Sequence, residues 1–519
     1  MVGHSTNSSE ALDAVLGQIV EIARRWPFDR YIRLKEANAA FKAITSYSRA
    51  QRFAELERWG GRLAAITTLL VFAGDKDIRL GEVMAAFNAI TGYGRTQRFD
   101  DLERWGDRLA MIVVRPEFAK DKDFRLAEAM AAVNAINYYG AARRFHDLER
   151  WGSRLAAITV QPEFARDKDI RLHEVNAAAN AVTDYGETQR FGDLERWGDR
   201  LAAIAIRPEF ATDKDVRLGE TNAAINAIAC YGRAQRFDDL ERWGDRLAVI
   251  VAQPAFAKER GIHLKEAAAA FNAITHYAKA QRFDNLERWG DRLAAIKIQP
   301  EFAKDRDFCL EEANAAVNAV TGYCMAHLFD DVERWGGRLM VIAIQPEFAK
   351  DKKFRFDEAN AAVNAIAYYG KARRFDDLER WGDRLAVVAI QPEFRKDRDI
   401  RLWEARGAFN AITEYGETLR FYDVERWGDR LAAIIRLPEF SEDKDIRLEE
   451  AQAAFNAIIS YDRAGRPSVV ERSRWLIRLA RCARDHPTCL EIQQIAKDHN
   501  LTYSDQDLRG WPYGAPQSA

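Results

Sequence analysis

Few residues in this chain stand in a pattern that could perform chemistry. The eight histidines are scattered, and no glycine-rich phosphate loop follows a strand pattern. One constellation, Cys482, His486 and Cys489, would share a helix face, with His499 further along. Pro487 should end that helix and the spacing matches no usual zinc pattern, so buried or free thiols are the alternative to a metal site. The sequence therefore predicts no catalytic residues, no cofactor and no enzyme activity.

A repeated asparagine is a stronger pointer to function. Near-copies of the segment FNAITGYG carry this residue at the same place, in the middle of a helical pattern, whereas the leading copy has Lys42. Asparagine is a mediocre helix former, so a repeated and exposed copy needs a reason. The asparagine row comprises Asn88, Asn134, Asn180, Asn226, Asn272, Asn318, Asn364, Asn410 and Asn456.

Two interpretations of the asparagine row compete. Each side chain could bond to the neighbouring copy and form an internal ladder. Alternatively, the row could pair with the backbone of an extended peptide, because a primary amide offers both a donor and an acceptor.

The residues seven before and four after each asparagine vary from copy to copy. Constant scaffold positions beside a variable stripe are typical of a repeat protein with an individual binding surface. We therefore predict that the asparagines bind a partner together with stripe residues, of which Trp403 could be an anchor or a local packing feature. These stripe residues are Tyr138, His173, Asp184, His276, Tyr368, Trp403 and Glu414.

The elements that position these residues follow from a repeat of 46 residues. The motif E-R-W-G recurs at this spacing, and a further tryptophan, Trp475, follows after an irregular stretch. The tryptophans of the motif are Trp59, Trp105, Trp151, Trp197, Trp243, Trp289, Trp335, Trp381 and Trp427. A period of this size indicates stacked helical repeats.

Each repeat reads as two helices. The first begins after Arg98, where Asp100 or Asp101 could cap it, and Trp105 belongs to its apolar stripe. Gly106 costs helix stability unless a neighbouring helix approaches closely at that point, so close approach is expected.

The connection and the second helix complete the repeat. Phe118 is expected to plug the core, and an aspartate of the following K-D-K-D segment could cap the next turn. That segment is otherwise interpreted as a solvated loop. The second helix is predicted over about Leu126–Tyr139, with Gly140 as the left-handed residue that ends it. Arg108 and Glu128 recur in the repeats and suggest an ion pair between helices.

The predicted architecture is an all-α solenoid of about ten two-helix repeats, similar to armadillo and HEAT arrays. A chain of 519 residues with 48% hydrophobic residues is too long for one compact core, and stacked repeats avoid that limit. The array should cover residues 13–490, after a disordered N-terminus at 1–12 and before a C-terminal tail at 491–519.

Charge and composition narrow the choice of partner. The net charge of −2 gives no pull toward nucleic acid or anionic membrane, and no apolar run is long enough to span a bilayer. A nucleic-acid-binding repeat protein is the alternative function, but it needs a basic track, and the stripe mixes Lys265 with Glu311, Asp357 and Glu449. Five irregularly placed cysteines indicate a reducing compartment. We expect a monomer that binds a protein or an extended peptide segment.

The repeat resembles the SKWP-repeat type III effectors of plant-associated bacteria such as Ralstonia. The matching segments are AAFNAITGYG (85–94), AAANAVTDYG (177–186) and GAFNAITEYG (407–416), although Tyr-Gly replaces the family's Lys-Trp-Pro. The resemblance implies a protein secreted into a host cell by type III secretion to engage host proteins without enzymatic chemistry. It also implies that the polar, serine-rich N-terminus could serve as the export signal. Without that resemblance, the bacterial cytoplasm is the expected location.

Overall fold

The computed structural model describes residues 4–464 and 469–485, together with 490, 494 and 497. Its regular elements over these residues are helices, with no strand among them. The predicted all-α solenoid of 46-residue repeats is confirmed. None of the described helices is both long enough and apolar enough to span a bilayer.

Helices alternate between two kinds along the chain. The first helices of the repeats are α1 His4–Arg25, α3 Phe53–Thr67, α5 Phe99–Val113, α7 Phe145–Thr159, α9 Phe191–Ala205, α11 Phe237–Val251, α13 Phe283–Ile298, α15 Phe329–Ala343, α17 Phe375–Ile390, α19 Phe421–Ile435 and α21 Val469–Asp485. The second helices are α2 Arg30–Arg49, α4 Lys76–Arg95, α6 Lys122–Ala141, α8 Lys168–Glu187, α10 Lys214–Arg233, α12 Arg260–Lys279, α14 Arg306–Met325, α16 Lys352–Lys371, α18 Arg398–Glu417 and α20 Lys444–Arg463. A short 3-10 helix, Pro254–Phe256, lies between α11 and α12.

The chain forms two compact blocks, which we call the N-terminal block, Met1–Glu266, and the C-terminal block, Ala267–Ala519. The boundary between the two blocks falls inside α12. Within each block neighbouring second helices pack side by side, and a first helix packs mainly against the second helix that precedes it, as α5 does against α4.

Local sequence explains the helix boundaries, with two corrections. Asp121 caps α6 by accepting a hydrogen bond from the backbone N–H of Asp123, so α6 begins at Lys122 rather than near Leu126. The predicted caps of the first helix are wrong, because Arg98 occupies the N-cap of α5 without a side-chain hydrogen bond. Asp101 lies in the first turn and pairs with Arg98 instead.

The residue that ends the second helix is also not the predicted one. Gly140 is still helical, and the left-handed conformation belongs to Arg143, with φ of 58°. The same position is left-handed in eight other described repeats, always at a residue other than glycine. Gly140 is needed for a different reason, because a Cβ there would overlap Asp184 of the next repeat.

The N-terminal segment 1–12, predicted to be disordered, overlaps α1, which begins at His4. Leu16 and Ala23 of α1 are buried, and the helix packs against α2. Apolar residues at helical spacing make α1 a first helix, which completes the leading repeat.

Consecutive first helices meet through tryptophan and glycine. The ring of Trp105 lies over Gly60 of the preceding repeat, where a Cβ would come within 2.5 Å of the ring. Trp151 covers Gly106 in the same way, at 2.6 Å. The close approach predicted at Gly106 is therefore confirmed, and Phe118 fills the core as expected, with 2% of its surface exposed.

Candidate functional site: the face of the second helices

The second helices present a half-buried face, which we call the second-helix face. In α6 it consists of Leu126, Met130, Val133, Asn134 and Tyr138. Each of these residues stands three or four positions from another member, so together they lie along one side of the helix. In neighbouring repeats the position of Leu126 holds leucine or phenylalanine, the position of Val133 holds an apolar residue, and the position of Asn134 holds asparagine. Equivalent residues of successive repeats therefore form rows along this face.

The asparagine row is half-buried, and most of its members bond to the preceding repeat. The amide nitrogen of Asn134 donates to the hydroxyl of Thr91 over 2.9 Å, and Asn226 donates to Thr183 over 2.7 Å. The same bond links Asn88 to Thr45, Asn318 to Thr275, Asn364 to Thr321 and Asn456 to Thr413. The internal ladder is thus present, but it engages one donor of each amide.

Three asparagines lack a threonine at the equivalent place in the preceding repeat. Asn137 stands there for Asn180, Ala229 for Asn272, and Ala367 for Asn410. Asn410 instead lies 3.4 Å from the carbonyl oxygen of Val363, and Asn180 forms no side-chain hydrogen bond within the described residues. The asparagine is therefore present in these repeats without the threonine that would explain it.

The position four residues after the asparagine is not the solvent-facing stripe that the sequence suggested. In five repeats its side chain is wedged against a helical glycine of the preceding repeat. Tyr138 packs on Gly94, while Glu414 packs on Gly370 and is only 8% exposed. His276 and Tyr368 are half-buried at the same position.

Burial changes the acidity of two of these stripe residues. Burial, reinforced by the charge of Glu187, raises the pKa of Asp184 to about 7. Burial and then Glu417 raise the pKa of Glu414 to about 7 as well. One carboxylate oxygen of Asp184 is buried without a hydrogen-bond partner in the described part of the chain, which makes the charged form costly.

The position seven residues before the asparagine is also partly covered. His173 is half-buried, and burial lowers its pKa, with Asp169 opposing. Trp403 packs edge-on against Phe356 of the preceding repeat, with ring centroids 5.6 Å apart, and Arg406 lies over its ring. Trp403 is half-buried, so local packing covers part of its side chain and the rest stays open beside the second-helix face.

Sequence reasoning missed the role of the glutamate in E-R-W-G. Glu57 accepts hydrogen bonds from Tyr93 of its own repeat and from Arg104 and Trp105 of the next. Although burial alone would raise the pKa of Glu57, these three donors lower it below the ordinary value. The glutamate, arginine and tryptophan of this motif each recur every 46 residues, which was a signal of a shared role. The period alone could not show that Glu57 of one repeat contacts Arg104 and Trp105 of the next.

The predicted pair between arginine and glutamate is confirmed as part of a larger buried network. Glu82 accepts from Arg108 over 2.7 Å and from Arg79 over 2.8 Å. The position of Arg79 is arginine in most repeats, but it is His263 in one and Cys309 in the next. In the repeat with Cys309, Lys297 lies 2.7 Å from Glu312. The added lysine replaces the missing cation, so the buried carboxylate keeps its partner.

The K-D-K-D segments do more than cap helices. Lys122 lies 3.0 Å from Asp167 and 2.7 Å from Asp169 of the next repeat. Lys352 makes the same pair of contacts with Asp397 and Asp399 in the C-terminal block. These segments therefore form an ion-pair ladder between repeats, where the sequence suggested a solvated loop.

The candidate metal site lies mostly outside the described residues. His486, Cys489 and His499 are not among them, and Cys482 is buried with its thiol 3.1 Å from Glu450. Within the described ranges no group of three or more histidine, cysteine or acidic side chains could hold a metal ion.

Comparison with known proteins adds little to this picture. No family model matches the chain, and a search of curated proteins gives no match. Among solved structures, an engineered protein whose crystal structure comes from the Northeast Structural Genomics Consortium is similar. It shares 14% sequence identity, its match covers 85% of this chain and 98% of that chain, and the TM-score is 0.49. A likeness at this level carries no argument about function.

Proposed function

We propose that this chain is a non-enzymatic repeat scaffold that binds an extended polypeptide segment along the second-helix face. One observation carries the proposal. Within the described residues, no side-chain oxygen of the asparagine row accepts a hydrogen bond, although each asparagine is half-buried. The ladder uses one N–H of the amide, so the carbonyl oxygen remains available to a guest. The second N–H is also available in most repeats, but Asn364 donates it to Asn360.

These free groups match the needs of a peptide backbone. A peptide group carries one donor and one acceptor, which the amide can satisfy together. Packed helices lie about 8–10 Å apart, and a polyproline II segment repeats every three residues, or about 9.3 Å. A guest in that conformation would present the same face to each asparagine, so we expect a proline-rich or otherwise extended segment.

Apolar rows flank the asparagines and supply contact area. Half-buried residues such as Leu126 and Phe87 stand on the same face in successive repeats. Extended segments dock against apolar grooves of this kind while their backbone bonds to a few fixed polar groups. The variable residues beside the row, Trp403 among them, would then select the side chains of the guest.

Three substitutions separate guest binding from internal packing. Asn180, Asn272 and Asn410 lack the threonine partner, so replacing all three by alanine removes no ladder bond between asparagine and threonine. We expect the melting temperature to change little while affinity for a peptide falls about tenfold or more. The ligand would be a peptide selected by display on the purified full chain, and fluorescence anisotropy would measure its affinity.

Replacement of Thr45, Thr183 and Thr321 by valine is the matched control. It removes three ladder acceptors without touching the asparagines, so stability should fall by about 1 kcal/mol per site while peptide affinity is retained. If the alanine variant keeps its affinity for every selected peptide, the asparagine row is not a peptide-binding element.

The place of action rests on the resemblance to type III effectors alone. We propose on that basis that the guest belongs to a host-cell protein. A translocation reporter fused to the N-terminal segment in a bacterium with a functional type III apparatus would test delivery. Equal reporter signal in a secretion-deficient strain would contradict it.

A further inference from the structure

The second helix of the leading repeat has an edge that no other described second helix exposes. In α2, Lys35, Lys42 and Ser46 are exposed, whereas the equivalent residues of α4 through α20 are buried or half-buried. In those helices the preceding second helix packs alongside, whereas the described helix before α2 is a first helix, α1. We call Tyr31, Lys35, Lys42 and Ser46 the open edge.

The open edge is basic and carries apolar surface. Lys35 and Lys42 form no ion pair with any described residue, although most charged side chains elsewhere on the array are paired. Lys35 lies over the ring of Tyr31 at 5.0 Å, and Tyr31 is 67% exposed. A depression of about 450 Å³ beside Lys42 is lined by Phe41, Thr45 and Arg49.

Contacts between neighbouring repeats show what would face these two lysines. Glu449 of α20 is equivalent to Lys35 and forms an ion pair with Arg406 of α18 over 3.0 Å. Arg406 lies four residues before the asparagine of its own helix. Asn134, equivalent to Lys42, bonds to Thr91, three residues after that asparagine. A helix seated on the open edge would therefore place two of its residues, seven positions apart, opposite Lys35 and Lys42. Residues at that spacing lie two turns apart on one face.

We propose that the open edge binds an acidic amphipathic helix of another protein, which extends the array by one second helix. Carboxylates at the two facing positions would pair with Lys35 and Lys42, and the apolar side of the guest would cover Tyr31 and Phe41. A second copy of this chain fits poorly, because Gln452 and Ile459 stand at the two facing positions of its last described second helix, α20. Lys42 and Ser46 are the leading repeat's equivalents of Asn134 and Tyr138, so the open edge continues the second-helix face. Either proposal can still fail alone, because the asparagines substituted in the peptide-binding test lie in other repeats.

A charge-swap experiment tests the proposal on the full chain. The acidic probe is a peptide with the sequence of α4 carrying Met84→Glu and Thr91→Glu, and the basic probe carries lysine at both positions. We expect the acidic peptide to bind about tenfold more tightly than the basic one in fluorescence anisotropy. The Lys35→Glu/Lys42→Glu chain should reverse that preference.

Controls keep the result interpretable. Arg95→Glu/Lys279→Glu makes the same change in net charge at exposed sites away from the edge and should leave the preference intact. Circular dichroism melts would verify folding of each variant. Equal binding of both peptides, or an unchanged preference in the Lys35→Glu/Lys42→Glu chain, would refute the proposal.

Two further measurements address other occupants. Single-stranded polyuridylate that binds more tightly than the acidic peptide, and is lost in the Lys35→Glu/Lys42→Glu chain, would assign the edge to nucleic acid instead. Dimerisation in sedimentation experiments that disappears in the same variant would assign it to a second copy. Either result would overturn the acidic-helix assignment, and the absence of both would support it.

Discussion

Successive first helices and successive second helices both approach closely at a glycine, but the two contacts differ in what they tolerate. On the first helices the partner of the glycine is a tryptophan, as with Trp105 on Gly60 and Trp151 on Gly106. On the second helices the partner of the equivalent glycine is Tyr138, Asp184, Cys230, Glu414 or Ser460.

The difference has a physical cause. The tryptophan of the first-helix contact fills a closed space and donates its indole N–H to a glutamate, as Trp151 does to Glu103 over 2.7 Å. A smaller residue there would leave both a cavity and an unpaired carboxylate. Tyr138 at the second-helix contact is half-buried, so a replacement side chain can extend toward solvent. The contact that is open to solvent can therefore vary, and variation allows individual recognition.

Removing the large side chain from the first-helix contact and from the second-helix contact should give the largest difference in unfolding free energy. Trp151→Ala should cost about 3–5 kcal/mol of unfolding free energy, because Trp151 is fully buried. Tyr138→Ala should cost less than about 2 kcal/mol, since only part of its surface is buried. Urea unfolding followed by circular dichroism would measure both, and similar costs would erase the distinction between the two contacts.

Two adjacent glycines of α3 provide a finer test of close approach. Gly60→Ala should destabilise by about 1–3 kcal/mol, because its Cβ would come within 2.5 Å of the Trp105 ring. Gly61→Ala should stabilise by about 0.5–1 kcal/mol, since no atom lies within 4 Å of a Cβ there. If the melting temperatures of both variants shift in the same direction, the contact of Trp105 does not require glycine at position 60.

The second-helix contact should also make stability depend on pH. The raised pKa of Asp184, about 7, means that the folded chain binds this proton more tightly than the unfolded chain. Stability should therefore fall as pH rises from about 4 to about 7. Asp184→Asn should stabilise the protein by about 1–2 kcal/mol near pH 8, a figure reduced for solvent screening of the partly exposed carboxylate. The same substitution should have little effect near pH 4.

A matched carboxylate on the first helices gives the control for this effect. Asp107 is 76% exposed on its side chain, so Asp107→Asn should leave the pH dependence of the melting temperature unchanged. If Asp184→Asn has the same effect near pH 4 and near pH 8, the carboxylate of Asp184 does not titrate in the predicted range.

The comparison also shows how far sequence reasoning reaches at the candidate site. The positions of the asparagine row were evident, since repetition alone marks them, and both of its possible bonding roles could be stated in advance. The burial of Glu414 and the packing of Trp403 on Phe356 could not be foreseen, because each depends on a residue of another repeat. A helical wheel drawn for one repeat has no information about the helix beside it.

Features that a single repeat specifies locally can be derived from the amino-acid sequence. The 46-residue period, the two helices, the Asp121 cap and the buried tryptophan stripe follow from spacing and residue type. Which copies of the repeat are in contact follows from the packing of the helices. This packing placed Glu57 beneath Trp105, bonded Asn134 to Thr91, and left Lys35 and Lys42 uncovered at the open edge. These contacts join residues about one repeat apart, and their register depends on how neighbouring helices pack rather than on any local pattern.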